Sequence, residues 1–395
     1  MDKIKVLKFG GSSVENVDAI HRCARIAHKA FQKGGKLVVV VSAMGKQTDE
    51  LLKLAFSVSD TPPERELDML VSTGERVSCS LFAMALNTLG VKALSLTGSQ
   101  CGILTNKVHQ HADIIDIKGD RLLKSLESHD AVVVAGFQGV DPKSKEITTL
   151  GRGGSDLTAV ALASKLGASA CFLYKDVNGV MTTDPRFVPR ARVVSKISWE
   201  KAYRLSCLGA KVLHYRASSL AMKKRIPLYV INTRDPGGLF TVVGKEDSSH
   251  FFLSYKESQT YLELVSESQK DLEELFQKSC HFLWSSDEIP LYVEKLEGIY
   301  LLSVKDELAE KLLKFLASEN LFKRISVQIK GKSLLSIALL YSQIEKKLFY
   351  EDRVKQYIKS KNSFFKQFKE GEILFSLKNA DKVKVLRELS SILDT

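Results

Sequence analysis

No stretch of apolar residues in this chain reaches the roughly 20 needed to span a bilayer; the longest, such as LVVVVSAM, fall far short. The opening MDKIKVLKFG enters a strand pattern at once and carries no secretory h-region, so a cytoplasmic location without a membrane partner is expected. The six cysteines (Cys23, Cys79, Cys101, Cys171, Cys207 and Cys280) include no C-x-x-C pair. Reduced thiols used as small core residues are therefore expected, not a disulfide framework. His109 and His111 are two apart with no third ligand nearby, so no metal site is expected there. No run interleaves aromatics with arginines as a single-strand platform does, which sets nucleic acid aside as a partner. The net charge of +12, from 58 basic and 46 acidic residues, is then assigned to a basic cleft for phosphates and carboxylates.

What is present suits an ordinary folded chain: 395 residues, 44% hydrophobic and 26% charged. At roughly 100–200 residues per domain this allows two or three domains. Through the first 240 or so residues, short apolar runs alternate with helical patterns. IKVLKF, KLVVVVSAM, VKALSLTG, AVVVAGF, ACFLYKDV and IPLYVIN read as strands, the second buried on both faces. Val17, Ile20, Ala24, Ala27 and Phe31 recur at helical spacing; RVSCSLFAMALNTLG is helical, and SDLTAVALASKLG is a helix closed by Gly167. The alternation predicts an α/β fold: a three-layer αβα sandwich with a mainly parallel sheet and ligands at the carboxyl ends of the strands.

DPGGLFTVVGKEDSSH, Asp235 to His250, reads as a connector, and domains are placed at 1–240 and 241–395. Beyond it glycine is rare. YLELVSE, PLYVEK, IYLLSV, ISVQIKGK, LLSIALLY and EILFSL read as strands around the helices KDLEELFQKSC and DELAEKLLKFLAS and a C-terminal helix. Two small α+β units of β-α-β-β type fit this order. QIEKKLFYEDRVKQYIKSKN reads as a basic helix with a solvated face.

Two glycine-flanked charged turns stand out. In KFGGSSV, Lys8 ends the first strand, and Gly10 and Gly11 let phosphate oxygens approach main-chain N–H groups. Ser12 and Ser13 offer hydroxyls and can cap the next helix, whose positive end favours an anion. This is neither a G-x-x-x-x-G-K-[ST] loop nor G-x-G-x-x-G. In TTLGRGGSDLTAVALAS, Arg152 can hold a carboxylate bidentately, Gly153, Gly154 and Ser155 form a second nest of N–H groups, and Asp156 stands where a helix begins. Taken singly these are a strand-to-helix turn, a surface arginine and a helix N-cap. Two such turns in one α/β domain point instead to a cleft for anions.

With VSAMGKQTDELL, STGERVS, GFQG, KDVNGVMTTDPR and LGAKVLHYRA, these turns make nearly all of residues 1–235 resemble the aspartate kinases, within the amino-acid kinase fold. The family transfers the γ-phosphoryl of ATP to the side-chain carboxylate of L-aspartate, opening the route to lysine or diaminopimelate, threonine and methionine. The resemblance implies ATP and Mg2+, the metal held mainly by the ATP phosphates. It implies that Lys8 contacts the transferring phosphoryl group, with Gly10, Gly11 and Ser12 around it, and that Asp156 holds Lys8 in place. Ser42, Thr48 and Ser155 would line the aspartate and phosphate pocket; Glu75 would take the α-ammonium and Arg152 the α-carboxylate. Asp176, Asp184, Arg186 and Lys211 match the ATP side.

The chain departs from the family's pattern in places. Tyr174, Lys175 and Asp176 replace the usual Trp-Thr-Asp, Met181 replaces a frequent Tyr, and His214-Tyr215-Arg216 replaces His-Pro-Arg. The tail resembles the family's paired ACT domains in strand-helix order, implying a regulatory or dimerisation region, a lysine or threonine effector, and a homodimer or higher homo-oligomer. Its loops VSESQKDL and LLSVKDELAEK lack the glycine usual at an effector site, and Ser286 and Asp287 stand where a Ser-Glu is frequent. Kinases of glutamate, acetylglutamate or nucleoside monophosphates are the alternative enzymes, and STGERVS and GRGGSD argue against them. A non-catalytic sensor is the other alternative; retention of Lys8, Glu75, Arg152 and Asp156 argues against that.

Overall fold

The structure is a computed structural model that describes residues 4–247, 251–265, 274, 278–279, 293–296, 299–318, 326–341, 353–354, 356–358, 363–369, 372–377 and 381–394. Met1–Val180, Val193–Tyr203 and Val212–Glu246 form one compact unit; Met181–Arg192, Arg204–Lys211 and Asp247–Thr395 form another.

In chain order, β1 (Ile4–Phe9) leads through a 3-10 turn, Gly11–Ser13, into α1 (Val17–Gln32). β2 (Lys36–Val41), α2 (Gln47–Val58), α3 (Glu64–Val71), α4 (Thr73–Thr88), β3 (Ala93–Leu96), β4 (Ile103–Thr105) and β5 (Ile114–Ile117) follow. Then come α5 (Asp120–Ser128), β6 (Ala131–Ala135), β7 (Gln138–Val140), β8 (Ile147–Thr149), α6 (Gly154–Lys165) and β9 (Cys171–Lys175). β10 (Lys196–Ser198), α7 (Trp199–Cys207), α8 (Tyr215–Lys224), β11 (Leu228–Asn232) and β12 (Phe240–Gly244) complete this stretch.

The main sheet has the order β10-β12-β11-β9-β1-β2-β6-β3, parallel throughout except where β11 meets β12. Its central strands are apolar because both faces are covered; β2 is buried from Leu37 to Val41. Alternation along β1 sends Leu7 and Phe9 into the core under α1 and α4. There Phe9 stacks on Tyr174 at 4.8 Å and meets Phe82 at 5.3 Å. The same alternation turns Lys8 toward the opposite face, where α6 packs against β1. α6 is buried from Gly154 to Ala163, so it lies inside the unit and not on its surface. A smaller sheet, β5-β4-β7-β8, lies apart from the main one.

Two local expectations change. The run from Asp235 to His250 is not only a connector, because Phe240–Gly244 forms β12, paired antiparallel to β11. α1 is capped not by Ser12 or Ser13 but by Asn16, whose side chain accepts from the Ala19 N–H at 2.9 Å. Val17 is 58% exposed, so the buried stripe of α1 is Ile20, Cys23, Ala24 and Ala27.

In the other unit, β13 (Phe251–Val265), β14 (Val293–Leu296), β15 (Ile299–Lys305), α9 (Asp306–Ser318), β16 (Ser326–Tyr341), β17 (Ser363–Lys369), β18 (Glu372–Leu377) and α10 (Lys382–Asp394) follow in order. The sheet order is β14-β15-β13-β16-β18-β17, antiparallel throughout. ISVQIKGK and LLSIALLY are one strand, β16, paired along its length with β13. A register shift follows Tyr261, which pairs with Gly331, and the strand runs on past that glycine. β15 joins the C-terminal part of β13 and β18 the C-terminal part of β16. The two α+β units therefore share one continuous sheet. β17, SFFKQFK, was not anticipated. The loop VSESQKDL past Val265, Ser286 and Asp287 lie outside the described residues, as do most of KDLEELFQKSC and of QIEKKLFYEDRVKQYIKSKN.

Candidate active site

Lys8 leaves β1 toward α6, and its Nζ lies 2.7 Å from Asp156 Oδ1 in the first turn of α6. Asp156 Oδ2 takes a second lysine: Lys175 Nζ, from the end of β9, donates to it at 2.7 Å. β9 is the parallel neighbour of β1, with Leu173 opposite Lys8 and Tyr174 opposite Phe9. Both lysines thus leave the carboxyl edge of the sheet within reach of one carboxylate. The N-cap of α6 is Gly153, with no side-chain cap, so Asp156 is spent on cations and not on capping. Side-chain exposures are 7% for Lys8, 3% for Asp156 and 16% for Lys175.

Burial pushes the Asp156 carboxyl up, but Lys175 and Lys8 together outweigh it and hold the group well below the usual carboxylate range. Burial lowers the Lys8 ammonium, with Lys175 adding to the effect and Asp156 opposing it. Two cations on one buried anion leave a positive excess that an incoming anion can match.

The glycine turn after β1 is held from two sides. Gly10 N–H donates to Tyr174 O at 3.3 Å, and Gly45 N–H to Gly11 O at 3.1 Å. A Cβ on Gly11 would stand 2.9 Å from Ala43 O, so only glycine fits. Ser12 is exposed on the turn, whereas Ser13 is buried and bonded to Thr233 Oγ1 at 2.7 Å. The hydroxyl expected to face an anion or cap a helix is in fact a tie between β1 and the end of β11.

Glu75, in the first turn of α4, is 3% exposed. Its Oε1 accepts from Ala43 N–H at 3.1 Å, while Oε2 has no partner among the described residues. Burial pushes its carboxyl up to about 7, against the pull of the Ala43 N–H, of its own backbone N–H and of Lys8. Ala43 belongs to the segment that Ser42 begins as β2 ends; Ser42 N–H donates to Phe9 O at 3.2 Å, and its carbonyl accepts from Ser78 Oγ at 2.7 Å. Thr48 is half-buried in the first turn of α2. Ser155 is buried against Gly136, where a Cβ would stand 2.8 Å from its own.

Arg152 is exposed on the turn before α6, flanked by Gly151 and Gly153 at φ of 75° and 69°. A Cβ on Gly153 would overlap the His214 ring at 2.2 Å. Arg216 fixes this turn by donating to the carbonyls of Leu150 and, at 2.6 Å, Ala112, and by pairing with Asp113 at 2.8 Å. Tyr215, where the family has proline, opens α8 with His214 as its N-cap, at a position proline also favours. His109 is engaged by buried Asp68 at 2.7 Å, which also accepts from Thr149 Oγ1 at 2.5 Å.

Of the residues matched to the ATP side, Asp176 is exposed just past β9. Asp184, Arg186 and Lys211 belong to the other unit, as does Met181. Asp184 and Arg186 pair with each other at 2.6 Å. Sequence reasoning missed Lys175 and Thr233. The only signal for Lys175 was its place in the departure from Trp-Thr-Asp. Among the described residues, no three His, Cys, Asp or Glu side chains gather to hold a metal, and no helix is long and apolar enough to cross a membrane.

Residues 3–232 match the model of the Amino acid kinase family. The aspartokinase of Geobacillus stearothermophilus is 52% identical over 227 residues, 58% of this chain and 56% of that protein. The chain spans about half the length of the curated relatives it matches. Among solved structures, E. coli aspartokinase III in complex with aspartate and ADP, in the R-state, is similar with a TM-score of 0.82 at 25% identity over 100% of both chains. The same enzyme in complex with lysine and aspartate, in the T-state, gives 0.71 at 25% identity over 99% of this chain and 100% of that one.

Proposed function

We propose, for a chain that belongs to the amino acid kinase family, that it is an aspartate kinase acting in the cytoplasm. It would transfer the γ-phosphoryl of ATP to the β-carboxylate of L-aspartate, giving 4-phospho-L-aspartate, the first step toward lysine or diaminopimelate, threonine and methionine. The observation that carries this reading is the pairing of opposite deficits near one strand edge. Lys8 and Lys175 leave a buried positive excess on Asp156, and Glu75, close enough to feel Lys8, leaves a buried carboxylate oxygen without a cation. A polyphosphate suits the first and an amino group the second.

The step needs no general base, because the attacking carboxylate is already an anion. One of its oxygens forms a bond to the γ-phosphorus while the bond to the β,γ-bridging oxygen breaks, and ADP keeps that electron pair. The obstacle is repulsion between two anions, about 4 kcal/mol per pair of charges at 4 Å and an effective dielectric of 20. Lys8 and the N–H groups of Gly11 and Ser12 would offset it where charge develops, and Asp156 would keep Lys8 aimed. Glu75 would take the α-ammonium and Arg152 the α-carboxylate, with Ser42, Thr48 and Ser155 lining the pocket. Asp176, Asp184, Arg186 and Lys211 are assigned to the nucleotide. Both oxygens of Asp156 are already taken by lysines, so Mg2+ would be held mainly by the ATP phosphates, whose charge it would help neutralise.

Binding of aspartate and ADP by aspartokinase III supports these substrates, and its complex with lysine supports an amino-acid effector, lysine or threonine. Residues 241–395 are proposed as the paired ACT-like region that regulates and pairs subunits in a homodimer or higher homo-oligomer. Trapping the acyl phosphate with hydroxylamine tests the reaction. Aspartate with ATP should yield the hydroxamate and glutamate should not; no product with aspartate contradicts the proposal.

A further inference from the structure

We propose that Lys175 is a second phosphate-gripping cation, binding the terminal phosphate of the nucleotide together with Lys8. The inference rests on the kinase reading for its ligand, though its test is nucleotide binding alone. The residue stands where the family's pattern has threonine, a neutral side chain without an ammonium's reach. Here it brings a full charge to the free oxygen of Asp156 at 2.7 Å, so each oxygen of one carboxylate carries one ammonium.

Asp156 can neutralise only one of the two lysines. A third, anionic partner would balance the cluster, and no other carboxylate pairs with Lys8 or Lys175 among the described residues. Such a partner would be anionic and would reach two ammonium groups that flank a single carboxylate. A phosphoryl group, with several charged oxygens on one centre, meets both conditions.

The root of Lys175 is also fixed in the way a binding group requires. Its carbonyl accepts from Thr233 N–H at 2.7 Å and from Thr233 Oγ1 at 2.9 Å. The preceding carbonyl, Tyr174 O, accepts from the Gly10 N–H of the phosphate turn at 3.3 Å. Lys175 and the glycine turn are thus two parts of one hydrogen-bonded piece, and an anion resting on the turn meets the lysine without rearrangement of the backbone. Its side chain keeps 16% exposure, against 7% for Lys8, so Lys175 is not sealed in the core.

The test is titration calorimetry of the full chain with nucleotide and no aspartate. Lys175→Met should raise the Kd for ATP about tenfold to a hundredfold, the range for a lost charge-assisted contact. ADP should lose less than ATP, adenosine should be unaffected, and Lys175→Arg should stay within a few fold of wild type. Folded Lys175→Met with unchanged ATP affinity, or an equal loss for adenosine, overturns the proposal. A second measurement does not depend on a variant folding. In the wild-type chain, acetylation of Lys175 read by mass spectrometry should be slowed by ATP and not by adenosine; equal rates with and without ATP overturn the proposal. Wild-type hydroxamate formation judges the reaction separately, so either proposal can fail while the other stands.

Discussion

At the end of the cleft proposed for phosphate, Asp156 has a lysine on each oxygen; at the end proposed for the amino acid, Glu75 accepts from the Ala43 N–H and has one oxygen without a partner among the described residues. Both carboxylates are buried, yet their affinities for a proton move apart. Asp156 is held well below the usual range because its two lysines outweigh its burial, while Glu75 is pushed up to about 7 because burial outweighs its partners. The difference separates a carboxylate that completes the protein's own framework from one left for a ligand. Asp156 is a fixed support that arranges cations, and Glu75 is a site that a cation would finish.

Removing the support should cost most. Asp156→Asn leaves two buried ammonium groups facing a neutral amide, and should destabilise the chain by about 3–5 kcal/mol, the range for a broken buried pair. Chemical denaturation checks it; an unchanged midpoint would mean that the lysines relax into water and that Asp156 is not a support. Lys8→Ala should lower kcat about 10²–10³-fold with the fold kept, since it removes a charge aimed at the transferring group. Near-normal turnover in the hydroxamate assay would take Lys8 out of the site.

Glu75 sharpens the contrast through pH. Its folded carboxyl titrates near 7 against 4.5 for the free group, so the native state keeps a proton that the unfolded chain has already released. Stability should therefore fall as pH rises from about 4.5 to about 7 and level off above, by about 3 kcal/mol in all. Glu75→Gln should abolish that fall, as denaturation at pH 5 and pH 8 would show, and should raise the KM for aspartate without weakening ATP. Arg152→Ala should weaken aspartate about tenfold, the scale of one exposed charge-assisted contact, with ATP affinity nearly unchanged; equal losses for both ligands would reassign the residue. The smallest effect belongs to the tie between the strands. Thr233→Val removes the hydroxyl that pairs with Ser13 and donates to the Lys175 carbonyl, whose bond from the Thr233 N–H remains, and should cost about 1 kcal/mol, read as a lower melting temperature.

The sequence carried much of this. The strand and helix alternation announced the parallel sheet, and the two glycine turns announced Lys8 and Asp156, which the fold brings together at 2.7 Å. What stayed hidden depended on contacts across the sheet. Lys175 is one lysine at the end of one strand until β9 is placed beside β1, a pairing of residues far apart in sequence. Ser13 reads as a cap because it stands before a helix, but the 3-10 turn delays α1 and hands capping to Asn16. β12 was hidden by the glycine and proline before it, and the continuity of β16 shows only in its pairing with β13, which runs past Gly331 with a register shift. Local turn chemistry is readable one residue at a time; the strand that overrides it is not.

The most direct test of the account is the proton balance of aspartate binding. An ammonium seated on the empty oxygen of Glu75 favours its ionised form, so binding near pH 6.5 should release a sizeable fraction of a proton. Calorimetry in buffers of different ionisation enthalpy measures this, and the release should vanish in Glu75→Gln. Aspartate binding with no proton release in the wild-type chain, or with the same release in the variant, would contradict the assignment of Glu75 as the site a ligand completes.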